Sequence, residues 1–509
     1  KGLPAAGLDY IYESLLKESL DEPLTAYGLL AEELDIKTIE ASEPYNKQIA
    51  ALSKQVGAQF SREALKDTSG ASMMDPKTQV SKIHSESILE ASKSTFESNL
   101  VFSLIRQRTC KKGEALVNIA LNGYVNMKDD PALIASEASR ETGNSPNTVV
   151  ATGLGIIGKK AAEKAMNVSK ALLELFQSTT LIDASKDFNF SDILNSAEVY
   201  KDVLIDSEES PCGKAMLEAV NKLGGSVFTK FCEEMAKKHD GYVGKDTVLA
   251  AIWTTIGWAS LRAKKITKNT LVRLPWNSKI FSALVGVNAP ALRHGTDSFC
   301  GIEKKELLIT SFTKTAFMAL LGRLPSEGEL YEFQVLLGLI ITNGPGTISA
   351  QGSKGAVSAD GPEEPSRVQL NKAFIGFLTH TGFAHGGNGY EAAAFLMEKF
   401  KDTTLTNPAD PNHGIDLEKI AIDYANEYGK FKKEQKAVGN LNYGKIPCVN
   451  HPVFKGKDVN YDPREQFVSN LFKEKGLYNI FLDFYHHLVQ GLFKAKVTKN
   501  IYCVNVDAV

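Results

Sequence analysis

The 509-residue chain has little cysteine, only three tryptophans and almost no net charge. Its six cysteines, Cys110, Cys212, Cys232, Cys300, Cys448 and Cys503, include no CxxC pair, so neither a zinc ribbon nor a disulfide framework is indicated. Scattered thiols of this kind fit a reducing, cytoplasmic setting. A formal charge of −2 and a pI near 6.6 supply no field that would gather nucleic acid or an anionic membrane. No apolar run reaches the roughly 18 residues of a membrane span. The opening KGLPAAGLDYIYESLL lacks the charged segment and apolar core of a signal peptide, and it starts without methionine, as an internal fragment would.

What is present is helical periodicity. Apolar residues recur at three- and four-residue spacing in NLVFSLIRQ, EKAMNVSKALLELF, GKAMLEAVNKL, KELLITSFTKTAFMALL, ELYEFQVLLGLII and FVSNLFKEKGLYNIFLDFYHHLVQGLF. Strand patterns are short and few. Clusters of Gly, Pro, Asp and Asn predict loops over 68–82, 127–147, 358–367 and 401–414. The expected class is mainly α.

A weak internal repeat runs in order along the chain. The segment from Phe102 resembles that from Met318, the one from Thr152 that from Thr381, the one from Glu209 that from Tyr461, and YVGKDTV from Tyr242 resembles CVNVDAV from Cys503. The offset grows from pair to pair, as insertions in a second copy would produce. This predicts an N-terminal helical or linker segment over 1–81, a degenerate copy over 82–275 and a catalytic copy over 276–509. Seven of the nine histidines lie after residue 290, and Cys212 stands where the second copy has Arg464, so the first copy reads as a scaffold with Asp246 a relic.

Several motifs invite chemistry, and each has a plainer reading. Gly153, Gly155 and Gly158 form a GxGxxG ahead of a helix, but no βαβ unit surrounds them, and helix-junction geometry accounts for them as well as a dinucleotide would. His385, in GFAHGGNGYEAAAFL, is either a working side chain or a turn histidine bonded to backbone. NHPVFKGKDVNYDPRE sets His451 ahead of Lys455, Lys457 and Arg464, a basic cluster suited to carboxylate and phosphate, or a solvated loop. Asp507 sits between apolar residues in NVDAV, where burial would raise its pKa and make it a usable base; a structural cap is the alternative. No metal-ligand spacing is seen.

From about Gly322 to Asp507 these motifs, in this order, resemble the citrate synthase superfamily and more closely its citryl-CoA lyase branch, including the C-terminal part of ATP-citrate lyase. GRLPSEGELYEFQVLLGLIITNGPGTISAQGSKGA looks like the branch's Arg-Leu-Pro helix leading into an Asp-His-Gly-Pro turn. GFAHGGNGYEAAAFL is similar to the segment carrying the first catalytic histidine, NHPVFK with DPRE to the second, and NVDAV to the catalytic Asn-Val-Asp. The sequence departs from the pattern at Thr342 and Asn343, where the family has Asp-His, and at Gln351, where it has a further substrate-binding histidine. Family domains also continue for several helices past the aspartate, so a C-terminal part is expected to be missing here.

The resemblance implies a citrate-synthase-like helical fold and carbon–carbon bond chemistry between an acyl-CoA and a 2-oxo acid or citrate. It implies Asp507 as base, His385 as donor to the thioester oxygen and His451 as acid or base at the oxo or hydroxyl oxygen. Arg464, with Gln351 and Asn343, would bind the acid, and Lys455 and Lys457 the CoA phosphates. No tightly bound cofactor or metal is implied; coenzyme A enters as a thioester substrate. The expected assembly is a homo-oligomer or an intrachain pseudo-dimer, without nucleic acid or membrane. A non-catalytic, regulatory CoA-binding homologue is the competing class.

Overall fold

Short polar side chains that accept a hydrogen bond from the first turn start many of the helices. Thr95, Ser210, Ser226, Thr267, Ser311, Ser326 and Asp462 each cap a helix this way, and Ser210 and Asp462 are followed by proline at the first helical position. Ser226 with Thr229 and Ser326 with Glu329 complete reciprocal capping boxes. The computed structural model describes residues 71–509 except 76, 126–129, 293–303, 343, 345–346, 359–368, 383–385, 441–442 and 452. Among these residues the chain is mainly α-helical. The sheet they contain is three short antiparallel strands, Ser72–Met74, Ser81–Ile83 and Glu86–Ser87, in sequence order. No helix among them is long and apolar enough to cross a membrane.

The larger core is built by the Lys160–Phe176, Lys245–Arg262 and Lys268–Ala291 helices, which pack on one another around Trp253, Trp258, Phe228 and Phe231. Phe176 meets Phe228 and Phe231 edge to face at 5.0 and 5.1 Å, a favoured arrangement of aromatic quadrupoles. Trp258 satisfies its buried indole N–H on the Leu181 carbonyl at 3.0 Å. A second core joins the Leu417–Ala437 and Ile480–Lys494 helices to Asn388–Phe400. Gly491 permits the first two to approach, because a Cβ there would lie 3.1 Å from the Ala421 carbonyl oxygen. A smaller cluster, Val335, Leu339, Val468 and Phe472, links Glu327–Leu339 to Pro463–Glu474.

Two of the predicted loops contain regular structure. Within 127–147 the helix Pro131–Glu141 forms, started by the Asp130 cap and Pro131; its small buried residues Ala132, Ser136 and Ser139 made it look like a polar connection. Within 68–82 lie the first strand and the start of the second. The apolar stretch after Lys304 is two helices, Lys304–Ile309 and Phe312–Leu321, with Ser311 capping the second. Element order recurs along the chain. A proline-led helix (Pro211–Lys222), a second helix (Val227–Lys238) and an extended bridge precede Asp246, as Pro463–Glu474, Ile480–Lys494 and a bridge precede Asp507. The Lys268–Ala291 helix runs unbroken through the expected junction at 275/276.

Packing explains one glycine of the GxGxxG motif, Gly153, while a Cβ on Gly158 would meet nothing within 4 Å. Gly153 and Gly155 lie inside the Pro146–Ile156 helix, and no described strand leads into them. A Cβ on Gly153 would meet the Ser136 hydroxyl, Val287 Cγ1 at 2.8 Å and the Ala132 carbonyl oxygen at 3.0 Å, whereas the nearest atom to one on Gly155 is Ile375 Cδ1 at 4.0 Å. Gly153→Ala is therefore expected to destabilise the protein by about 1–3 kcal/mol through overpacking. Gly155→Ala should leave stability unchanged or raise it by up to about 1 kcal/mol. Urea unfolding of the two variants checks this; equal effects would remove the packing explanation.

Candidate active site around the C-terminal strand

The residues 501–507 are threaded between two segments distant in sequence. On one side Asn450 N–H donates to the Cys503 carbonyl and Asn505 N–H to the Cys448 carbonyl, both at 2.8 Å, around an antiparallel bridge of Val449 and Val504. On the other, Ile501 N–H donates to Asp458 at 2.9 Å and Asn460 N–H to Ile501 at 3.1 Å. Cys448 and Asn450 hold left-handed backbone, φ 58° and 72°, immediately ahead of His451. Asparagine tolerates that region better than cysteine does, and strained backbone of this kind is concentrated at functional sites.

Asp462 ties this knot to the next helix. Its carboxylate is fully buried and accepts from Arg464 N–H (3.0 Å), Arg464 Nε (2.9 Å), Arg464 Nη2 (2.7 Å) and Val506 N–H (3.2 Å). The same side chain thus caps Pro463–Glu474, grips the guanidinium with two parallel bonds and anchors the residue before Asp507. Two faces of the Arg464 fork are taken, and Nη1 has no partner among the described residues. The guanidinium carbon lies 5.4 Å from the centre of the Phe454 ring, on which His451 stacks at 4.8 Å and 30°. Val453 N–H donates to His451 Nδ1 at 3.2 Å, which makes Nδ1 the acceptor and assigns the imidazole proton to Nε2.

The two cysteines of the knot are not nucleophiles at neutral pH. Burial pushes the Cys448 thiol up to about 12, with the Asp507 charge adding to it, and burial with the Asp462 charge pushes Cys503 up to about 11. Asp507 itself is exposed, in the 3₁₀ turn Val506–Ala508, with its N–H donated to Asn505 Oδ1 at 3.3 Å. The burial expected from its apolar neighbours is absent. In this turn Val506 packs on the Val335 and Val468 cluster, while Asp507 is exposed.

The remaining expected site residues are distributed as follows. His385 and Asn343 lie outside the described residues. The Asn388–Phe400 helix that follows His385 contacts the Val506–Ala508 turn and shares a core with Cys448 and Val504, while Gly386 takes φ 107°, open to glycine alone. Gln351 lies on Ile348–Ser358, which packs on Leu370–Thr379 at glycine-to-glycine contact, and Leu370–Thr379 in turn rests on Pro146–Ile156. Lys457 is exposed and holds Asn460 through its backbone at 3.0 and 3.1 Å.

Lys455 lines a cleft of about 1090 Å³ beside the knot. Lys430, Lys432, Lys433 and Lys436 face it from the Leu417–Ala437 helix, Lys496 and Lys499 from the segment ahead of Ile501, and none of its described lining residues is acidic. Lys432 donates to the Val497 carbonyl at 3.1 Å, and burial, with Lys436 nearby, holds its pKa below the ordinary lysine value. The Asn450 Oδ1 that borders the cleft is buried without a hydrogen bond. The run KFKKEQK was the available signal for these lysines, but sequence alone does not bring it beside Lys455. Among the described residues no group of His, Cys, Asp and Glu is arranged to hold a metal ion.

No protein-family model matches the sequence, and no curated protein matches it. Among solved structures the chain is similar to citryl-CoA lyase from Hydrogenobacter thermophilus, with 14% identity over 51% of this chain and 89% of that one and a TM-score of 0.35. It is also similar to citrate synthase from Pyrobaculum aerophilum, with 13% identity over 87% of this chain and 78% of that one and a TM-score of 0.40.

Removing Asp462 leaves a largely buried guanidinium without its carboxylate. Asp462→Ala is expected to cost about 3–5 kcal/mol, in the range for a broken buried ion pair. Asp462→Asn, which keeps an acceptor for the helix cap, should cost less. Denaturant unfolding measures both; a loss below about 1 kcal/mol for the alanine variant, the level of an exposed pair, would show that the buried pair is not structural.

Proposed function

We propose that the protein is a carbon–carbon bond enzyme of the citrate synthase and citryl-CoA lyase type, cleaving citryl-CoA to acetyl-CoA and oxaloacetate or condensing an acyl-CoA with a 2-oxo acid. The observation that carries the reading is the knot at the C-terminal segment: motifs that resemble the family's in sequence, separated by tens of residues, are hydrogen-bonded to one another through Cys448–Asn450, Asp462 and 501–506. The lysine cleft beside them supports a polyphosphorylated substrate, since lysine serves phosphate as a compact point charge.

In this reading Asp507 removes the α-proton of the thioester, His385 donates to the developing enolate oxygen, and His451 moves a proton at the oxo or hydroxyl oxygen. The neutral Nε2–H form of His451 supplies a donor there. Arg464, held rigid by Asp462, offers Nη1 to a substrate carboxylate, with Gln351 and Asn343 as further binding residues, and Lys455 and Lys457 bind CoA phosphates. Because Asp507 is exposed, the acyl group itself has to exclude water from the carboxylate for it to act as a strong base. The protein would work in the cytoplasm, as a homo-oligomer or with its two halves as an intrachain pseudo-dimer.

A second reading, a regulatory CoA-binding homologue without turnover, draws on the occupied Arg464 fork and on Asn343 and Gln351 in place of the family's histidines. Acetyl-CoA with oxaloacetate and a thiol reagent, or citryl-CoA alone, separates the two. Turnover is expected, falling by about 100- to 1,000-fold in Asp507→Asn and His385→Ala, the scale of a lost general base or oxyanion donor. Lys455→Ala should raise KM with kcat unchanged. Tight CoA binding with no turnover in either direction would establish the second reading instead.

A further inference from the structure

The first half of the chain contains a separate pocket of about 660 Å³, bordered by the starts of Pro131–Glu141 and Lys245–Arg262 and by Lys268–Ala291. Its walls are mostly aliphatic, with Pro131, Ile156, Ile157 and Ala283 among them. Three polar side chains meet at its base. Asp246 Oδ1 accepts from the Tyr124 hydroxyl at 2.7 Å and from Lys279 Nζ at 2.6 Å, and the Lys279 ammonium also lies 4.6 Å from the centre of the Tyr124 ring. Lys279 bonds the Ala161 carbonyl as well. Asp246 Oδ2 has no hydrogen bond among the described residues, and the Lys279 and Asp246 side chains are 10% and 18% exposed, so both remain reachable from the pocket. Among the described residues the other charges on its wall are Lys245, 5.3 Å from the Tyr124 ring, and Asp130, whose carboxylate is engaged by the Ala132 N–H as a helix cap.

A purely structural ion pair would be served by the bond between Lys279 and Asp246 alone. It does not explain a lysine facing an accessible pocket, a phenol sharing its carboxylate oxygen, or a second cation on the wall. We propose that this pocket is a second reactive site, in which the Lys279 amine condenses with the carbonyl of a short 2-oxo acid bearing an alkyl tail. The tail would lie on Ile156, Ile157 and Pro131, and the ligand carboxylate would face Lys245. Lys279 passes one proton to Asp246, and the amine lone pair forms the N–C bond as the carbonyl pair moves onto oxygen. That oxygen receives the proton back through Asp246 and Tyr124, takes a second from the nitrogen, and leaves as water. The product is a protonated imine, with no change in oxidation state.

Burial pulls the Lys279 ammonium below its ordinary pKa even though Asp246 opposes the shift, so the buried position favours the free amine more than an exposed one would. Burial and the neighbouring Asp246 hold the Tyr124 phenol far above its usual range, so it remains a proton donor. None of these groups takes part in the chemistry proposed at the C-terminal strand, so the two readings fail separately.

The test is reductive trapping of the full-length chain with 2-oxobutyrate and cyanoborohydride, followed by peptide mapping. The expected result is a saturable adduct, one per chain, on the peptide holding Lys279. Asp246→Asn should slow it by about 100-fold, the lower end of a proton-transfer contribution. Lys279→Arg, which keeps a cation for Asp246 but cannot form an imine, should abolish it while circular dichroism stays unchanged. Adducts spread over exposed lysines with Lys279 unmodified in the parent protein, or trapping undiminished in a folded Lys279→Arg chain, would overturn the proposal.

Discussion

The C-terminal knot depends on one buried carboxylate. Asp462 is removed from water entirely, which would be prohibitive for an unpaired charge and is tolerable only because four N–H groups converge on its two oxygens. Those donors come from the start of the following helix, from the Arg464 guanidinium and from the chain just before Asp507. Helix entry, arginine orientation and strand position are therefore set by a single side chain. Shifting any of the three leaves a buried oxygen unsatisfied, and that penalty is what fixes their relative placement.

Much of this was legible one element at a time. Apolar spacing locates the long helices because that signal acts over one or two turns. The role of Asp462 was not legible: only the return of 501–506 from some forty residues away makes it a hub. Lys430, Lys455 and Lys499 share a cleft for the same reason, tertiary approach rather than pattern. The expectation for Asp507 failed differently. Flanking apolar residues bury their own side chains, and in a tight turn the residue between them projects the other way.

The two halves illustrate how similar local order can place an aspartate in different surroundings. Both present a proline-led helix, an extended bridge and an aspartate, yet Asp507 stands in the open while Asp246 is enclosed with Tyr124 and Lys279. In the first half a long helix continues directly from Asp246, so its carboxylate is pinned against Lys268–Ala291, which supplies the lysine. Reading Asp246 as a relic followed from histidine counts. Its surroundings are those of a paired carboxylate, held by the Tyr124 hydroxyl and the Lys279 ammonium.

The lysine cleft has a thermodynamic side. Seven ammonium groups gathered without a carboxylate repel one another whenever the cleft is empty, and the depressed pKa of Lys432 reflects its burial and, in smaller part, that crowding. Screening by salt relieves part of the repulsion, and a multivalent anion relieves more. Any such anion that settles there shifts the folding equilibrium by mass action as well as occupying the cleft. Salt that screens these charges is therefore expected to firm the packing of the Leu417–Ala437 helix on Ile480–Lys494, the element it contacts.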